Sequence, residues 1–162
     1  MNFVVRDLVA QDLDEVLVLA ADSLEAPHWN RRDYEQILLA QPSDPLLRCG
    51  LVADSGGKVA GFVVASWLRH EVVAEVEGLF VERDCRRRGV GSALITACMA
   101  WAAKAGAAKV RLEVRASNTA AHALYRRYGF STAGVRRAYY SAPVEDALVL
   151  QAPLLTQTSV PL

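Results

Sequence analysis

The chain has 162 residues and a mass of 17.6 kDa, the size of one domain that can bury its own core. Its 52% hydrophobic and 22% charged residues exclude a disordered chain, and 18 basic residues against 18 acidic ones exclude a broadly nucleic-acid-binding surface. Three widely spaced cysteines, Cys49, Cys85 and Cys98, form no C-x-x-C pair, so we expect a reducing compartment and no metal site.

The acidic start (Asp7, Asp12, Asp14, Glu15) has no basic-then-apolar leader, and the longest apolar run, Ala93 to Ala103, is too short to span a bilayer. The expected location is cytoplasmic, with no membrane partner. Phe3 to Val9 reads as a strand. From Asp12 a helix follows, with Leu13, Val16, Leu17 and Ala20 on one stripe, stopping near Ser23. A loop through Pro27, His28 and Trp29 leads to Asn30, a candidate cap for a second helix carrying Tyr34, Ile37 and Leu38, which Pro42 and Pro45 end. Leu47 to Ala53 and Val59 to Trp67 flank Gly56-Gly57 and predict a hairpin. Val72 to Glu82 is a third strand, antiparallel to its predecessor.

A long apolar helix from Gly89 to about Ala105 ends at Gly106, suited to a left-handed cap. Lys109 to Arg115 alternates apolar and charged residues, as a half-buried strand does. Strand, crossover helix and strand make a βαβ unit, so Lys109 to Arg115 should run parallel to Val72 to Glu82. Ser117-Asn118 caps the next helix, with Ala121, Leu124, Tyr125 and Tyr128, ending at Gly129. Phe130 to Tyr140 and Ala147 to Pro153 are a last pair of strands. We expect one domain over residues 1–155 and a frayed tail over 156–162.

The chain is organised around the turn between the third strand and the long helix, Arg86-Arg87-Arg88-Gly89-Val90-Gly91-Ser92. Glycines there let backbone N–H groups curl around an anion, and the helix start adds orphan donors and partial positive charge. A pyrophosphate fits such a site. A P-loop is disfavoured because Ser92-Ala93 replaces Lys-Ser/Thr after Gly91, and a Rossmann fingerprint because the third glycine is missing and the motif lies mid-chain. The competing reading is that the glycines only loosen a helix start.

Leu79-Phe80-Val81-Glu82 followed by Arg86-x-x-Gly89-x-Gly91-Ser92 closely resembles the coenzyme A pyrophosphate motif of the GNAT N-acetyltransferase superfamily, and the likeness extends in order over most of the chain. The resemblance implies an α/β GNAT fold, with a mixed, mostly antiparallel sheet of about seven strands flanked by about four helices. It also implies acetyl-coenzyme A as co-substrate. The Leu79, Phe80 and Val81 strand would hold the pantetheine arm, and the loop from Arg86 through Arg87, Arg88, Gly89, Val90 and Gly91 to Ser92 would hold the pyrophosphate.

Acetyl transfer to an amine needs the thioester held, a proton removed from the ammonium and a proton returned to the thiolate. The α-amine, with a pKa of about 8 against about 10.4 for lysine, is the easier nucleophile. In the segment Asn118-x-x-Ala121-x-x-Leu124-Tyr125-x-x-x-Gly129-Phe130, the resemblance makes Tyr125 the general acid and Asn118 a helix cap or pantetheine contact. A phenol of pKa about 10 protonating a thiolate of about 8.5 is uphill by roughly 2 kcal/mol, small within a catalytic barrier.

Leu112-Glu113-Val114-Arg115-x-Ser117-Asn118 resembles the branch that acetylates the N-terminal alanine of a bacterial ribosomal protein, in which this glutamate is the general base. Glu113 could instead be a surface residue paired with Arg111 or Arg115. Glu75 and Glu77 compete with it for the role. The Pro27-His28-Trp29-Asn30 loop and the Arg136-Arg137-x-Tyr139-Tyr140 segment followed by Glu145-Asp146-Ala147 resemble that branch's acceptor side, which places His28, Trp29, Glu77, Arg137 and Tyr139 beside the acceptor. Tyr139 and Tyr140 could equally close a hairpin by packing. The expected partner is a protein N-terminus or a small amine, with the chain a monomer or weak homodimer. Two rivals remain: a small-molecule or lysine acetyltransferase on this scaffold, and a non-catalytic acyl-coenzyme A binding module.

Overall fold

Valine- and leucine-rich runs form the strands β1 (Val4–Asp7), β2 (Leu46–Asp54), β3 (Val59–Leu68), β4 (Val73–Val81), β5 (Lys109–Arg115), β6 (Ser131–Ser141) and β7 (Val144–Pro153). The segments of helical period form α1 (Leu13–Ala21), α2 (Arg31–Leu39), α3 (Val90–Ala105) and α4 (Thr119–Arg127). The structure, a computed structural model, describes residues 1–23 and 29–155, so His28 and the 156–162 tail lie outside the described residues. No helix among the described residues is long and apolar enough to cross a membrane.

The strands make one mixed sheet in the order β1-β2-β3-β4-β5-β7-β6. Every neighbouring pair is antiparallel except β4 and β5, which are parallel as the crossover through α3 requires. The last two strands pair with each other, but the later one sits inside: β7 lies against β5 and β6 takes the edge. Burial explains that order. β7 contributes the buried Ala147, Leu150 and Ala152, whereas β6 is exposed along almost its whole length.

Helices cover both faces. α3 and α4 pack on one, where Leu94, Ile95 and Cys98 meet Val63, Ala74 and Val110. On the other face α1 and α2 set Leu13, Val16 and Tyr34 against Val52, Phe62 and Phe80. Asn30 caps α2 as its side chain suggests, accepting the Asp33 N–H at 3.2 Å. Gly106 ends α3 with φ at 119°.

Two local features fix where the ligand-facing parts sit. Gly61 lies where α3 begins to press on the sheet: a Cβ there would stand 2.6 Å from the Phe80 carbonyl oxygen, 3.1 Å from Val90 Cγ1 and 3.2 Å from Leu94 Cδ1. Only a hydrogen allows so close an approach, and it brings the start of α3 down beside the end of β4. Gly61→Ala should therefore destabilise the fold by about 1–3 kcal/mol, because the obstructing atom is backbone and cannot rotate away. Chemical denaturation reads this as a lower midpoint at unchanged slope.

Asp12 does not cap α1; its side chain makes no cap hydrogen bond to that helix. The carboxylate turns back to accept from Nη1 and Nη2 of Arg6, at 2.8 and 2.9 Å, and from the Val9 N–H at 2.9 Å. This clamp ends β1 at Asp7 rather than Val9. Hydrogen bonding from Arg6, aided by the Val9 N–H, holds the Asp12 carboxyl below its ordinary range. A depressed folded value means stability fully present above the unfolded pKa of about 3.9 and lost as pH falls through the folded one. Asp12→Asn should cost about 2 kcal/mol at neutral pH, and urea melts should show the gap to wild type closing as pH drops below about 4.

Candidate active site

The parallel pair that builds the site is short. β4 and β5 are in register only from Val73–Lys109 to Glu75–Arg111. One residue further on, β4 carries a bulge: Val64 faces Gly78 and Ala65 faces Val76, so Glu77 has no partner across the β3–β4 ladder. A bulge bends its strand, and from this point β4 leaves β5, which stays paired with β7 through Arg115. The backbone of β4 from Val76 to Val81 thus has no strand partner on the β5 side. Into this opening face Glu77, Gly78, Leu79 and Phe80 from one strand, Leu112, Glu113 and Val114 from the other, and Tyr125 from α4.

At the far end of β4 the chain passes through one short turn, Arg83–Cys85, and enters the glycine loop. Arg87 has φ at 61° and Gly89 at 84°, while Arg86 between them and the turn is extended. Left-handed residues interleaved with ordinary ones aim successive N–H groups toward one point, the geometry of an anion-binding nest. Gly89 is the residue immediately before α3, so the free N–H groups of the helix's first turn join the nest. The Arg86, Arg87 and Arg88 side chains are exposed around it, and Arg86 Nε donates to the Val81 carbonyl at 3.2 Å, tying loop to strand. Val90 is buried and anchors the helix start, and Gly91 lets Leu124 approach, a Cβ there lying 3.2 Å from Leu124 Cδ2.

Two basic or hydroxylic groups at this end were not anticipated. Arg127, in the last turn of α4, donates to Ser92 Oγ at 3.3 Å. The Tyr128 hydroxyl lies beside Ser92 and Thr96, which pull its pKa below the ordinary value. The sequence signal was present in Tyr125-Arg126-Arg127-Tyr128, but only Tyr125 matched the family pattern.

The three candidate glutamates have separate surroundings. Glu75 stands where β4 and β5 are still paired and is bound by Arg111. Glu77, on the bulge, accepts from Ser66 Oγ at 2.9 Å. Glu113 accepts from Arg136 Nε at 2.5 Å, and it lies near enough to the Tyr139 hydroxyl to raise that phenol's pKa. Only Glu77 and Glu113 line the opening. The alternative reading, an ion pair of Glu113 with Arg111 or Arg115, gives way to one with Arg136: Arg111 serves Glu75, and Arg115 is buried with its guanidinium carbon 4.1 Å from the centre of the Tyr140 ring.

Tyr125 is 7% exposed, its ring 5.4 Å from that of Phe130, which fixes the phenol at the cleft wall. Asn118 is the α4 cap, accepting the Ala121 N–H at 3.0 Å. Trp29 connects to the cleft indirectly: its ring meets Tyr34 at 5.2 Å, Tyr34 meets Phe62 at 6.0 Å, and Phe62 meets Phe80 at 4.7 Å. Arg137 is exposed and turns away to donate to Asp146 Oδ2 at 2.9 Å. Tyr139 and Tyr140 pack edge to face at 5.1 Å, so the packing role is met, and Tyr139 reaches the cleft as well.

The family model described as Acetyltransferase (GNAT) family matches residues 13–130. The chain belongs to this family. Among relatives, the ribosomal protein bS18-alanine N-acetyltransferase of Escherichia coli is 39% identical over 100 residues, covering 60% of this chain and 66% of its own length. The Salmonella typhimurium enzyme of the same name is 33% identical over 122 residues, covering 74% and 80%. The crystal structure of the E. coli ribosomal-protein-S18-alanine N-acetyltransferase superposes with a TM-score of 0.79 at 28% identity over 99% of both chains. The protein is thus an acetyl-coenzyme A-dependent N-acetyltransferase, and the open β4 edge and the nest before α3 have the shape and charge that the extended coenzyme asks for.

Proposed function

We propose that this enzyme acetylates the N-terminal α-amine of a protein, of the ribosomal-protein-alanine type, with Glu113 as general base and Tyr125 as general acid. The observation that carries the reading is that the opening between β4 and β5 is lined at once by Glu113 and Tyr125, from different elements. An amine entering from the Glu77 and Glu113 side loses its proton to Glu113, directly or through a water, and attacks the thioester carbonyl. The tetrahedral intermediate gives up its second nitrogen proton to solvent and collapses with loss of the coenzyme thiolate, which takes the Tyr125 proton; a proton from solvent then restores the phenol, leaving amide and free thiol. No covalent enzyme intermediate is required: Cys98 is buried with its thiol pushed up to about 12 by burial, and Cys85 lies in the turn before the loop with its thiol also raised.

In this reading Leu79 and Val81 offer backbone to the pantetheine arm, and Arg86, Arg87, Arg88, Gly89, Val90, Gly91 and Ser92 hold the pyrophosphate. Glu77 and Tyr139 stand on the acceptor side, Trp29 supports it through the Tyr34, Phe62 and Phe80 rings, Arg137 acts through its ion pair with Asp146, and the acceptor is met in the cytoplasm. The test is thiol release from acetyl-coenzyme A with two short peptides, one with a free N-terminal alanine and one N-blocked with an internal lysine. Turnover of the first alone supports the proposal. Turnover of the second, or of small amines alone, replaces it with a lysine or small-molecule acceptor.

A further inference from the structure

The family resemblance leaves Glu145-Asp146 without a physical role, and the structure supplies one for the aspartate. Between Arg136, which faces Ala147, and Tyr140, which faces Glu145, β6 places Arg137, Ala138 and Tyr139 against the one β7 residue Asp146. The extra length is absorbed at Ala138, whose φ of 48° lies in the left-handed region. Alanine rarely adopts that conformation unless neighbours enforce it. Here Asp146 does so, its Oδ1 accepting the Ala138 N–H at 2.9 Å and its Oδ2 the Arg137 guanidinium at 2.9 Å.

The distortion changes what β6 shows to the cleft. On a regular strand Arg136 and Tyr139, three apart, would face opposite sides. In the bulge Arg136 donates to Glu113, and Tyr139 is brought near enough for the same carboxylate to raise its pKa. The Asp146 carbonyl also accepts the Ala116 N–H at 3.1 Å, and the neighbouring Glu145 accepts from Ser117 Oγ at 2.8 Å. The bulge is thereby pinned to the loop that launches α4 and Tyr125.

We propose that Asp146 is a positioning residue for the acceptor: it locks the β6 bulge in the one shape that sets Arg136 and Tyr139 together over Glu113. It touches neither substrate nor coenzyme. The inference rests on the reading of this cleft face as the acceptor side. It makes a prediction that a general structural role does not, namely a defect confined to the acceptor.

The experiment measures steady-state kinetics with the peptide that wild type turns over, alongside the calorimetric Kd for coenzyme A, in Asp146→Ala, Asp146→Asn, Tyr139→Phe and the Asp146→Ala/Tyr139→Phe double variant. Asp146→Ala should lower kcat/KM for the acceptor about 10-fold to 10²-fold, with the coenzyme Kd unchanged. Asp146→Asn keeps an oxygen for the Ala138 N–H and should recover most of that loss. Tyr139→Phe should raise the acceptor KM in the native background and cost little more once Asp146 is gone, since the bulge no longer presents the hydroxyl. Unchanged acceptor kinetics in Asp146→Ala, an equal loss of coenzyme affinity, multiplicative effects in the double variant, or an unchanged acceptor KM in Tyr139→Phe would each overturn the proposal. A wild-type enzyme that turns over no peptide would instead strike at the acceptor assignment itself.

Discussion

Tyr125→Phe is expected to lower turnover by about 10²-fold while leaving coenzyme affinity where it is. The phenol is fixed from three directions: by its own helix, capped at Asn118, by the Phe130 ring, and by burial at 7% exposure. Phenylalanine keeps all three, so the variant removes the proton and its oxygen while the ring stays on the cleft wall. The loss belongs in kcat and in kcat/KM together, because a proton delivered to the departing thiolate matters only as the C–S bond breaks. Pre-steady-state thiol release under saturating substrates measures that step, and equilibrium titration with coenzyme A supplies the control. Full turnover in the variant would remove Tyr125 from the acid's role and make solvent the proton source.

The outline of this machine was legible because local rules and tertiary structure agree along most of the chain. Asn30 and Asn118 cap the helices they precede, Gly106 ends α3, and the alternation in Lys109–Arg115 becomes a strand whose Val110, Leu112 and Val114 are buried. The parallel β4–β5 pairing followed from the order strand, crossover helix, strand. The Arg87–Gly89 nest was legible for the same reason, since glycine content and helix start sit within a few residues of each other.

What escaped depends on partners distant in sequence. Nothing in Leu112-Glu113-Val114 says that its carboxylate meets Arg136, 23 positions later, because that contact exists only once β7 has inserted between β5 and β6. The bulge at Glu77 is equally silent: residues Val73 to Val81 alternate well enough for a plain strand, and only the register against β3 reveals the unpaired residue. That bulge opens the sheet. Asp12 shows a further limit, since nothing in the sequence says that its carboxylate turns from the helix it precedes to the Arg6 guanidinium.

Glu113→Gln is the sharper test of the chemistry, with an expected fall in kcat/KM for the acceptor of about 10²-fold to 10³-fold. Glutamine is nearly isosteric but accepts no proton at neutral pH, so a base is removed while the strand stays packed. The variant also strips the charge that Arg136 faces, and part of any loss could come from a displaced guanidinium. Arg136→Gln separates the two effects, because it abolishes the ion pair and leaves the carboxylate. A base at Glu113 predicts that Arg136→Gln is far milder than Glu113→Gln, whereas a purely architectural pair predicts equal damage from either side. Glu77→Gln completes the comparison, since Glu77 shares the opening but hangs on Ser66 from the other strand. If it is the severe variant and Glu113→Gln stays within about 3-fold of wild type, the base belongs to the bulge on β4. The arrangement favours Glu113, which β5 holds in an unbroken ladder with β7 and which two β6 side chains meet at the cleft, so that the carboxylate is aimed before the amine arrives.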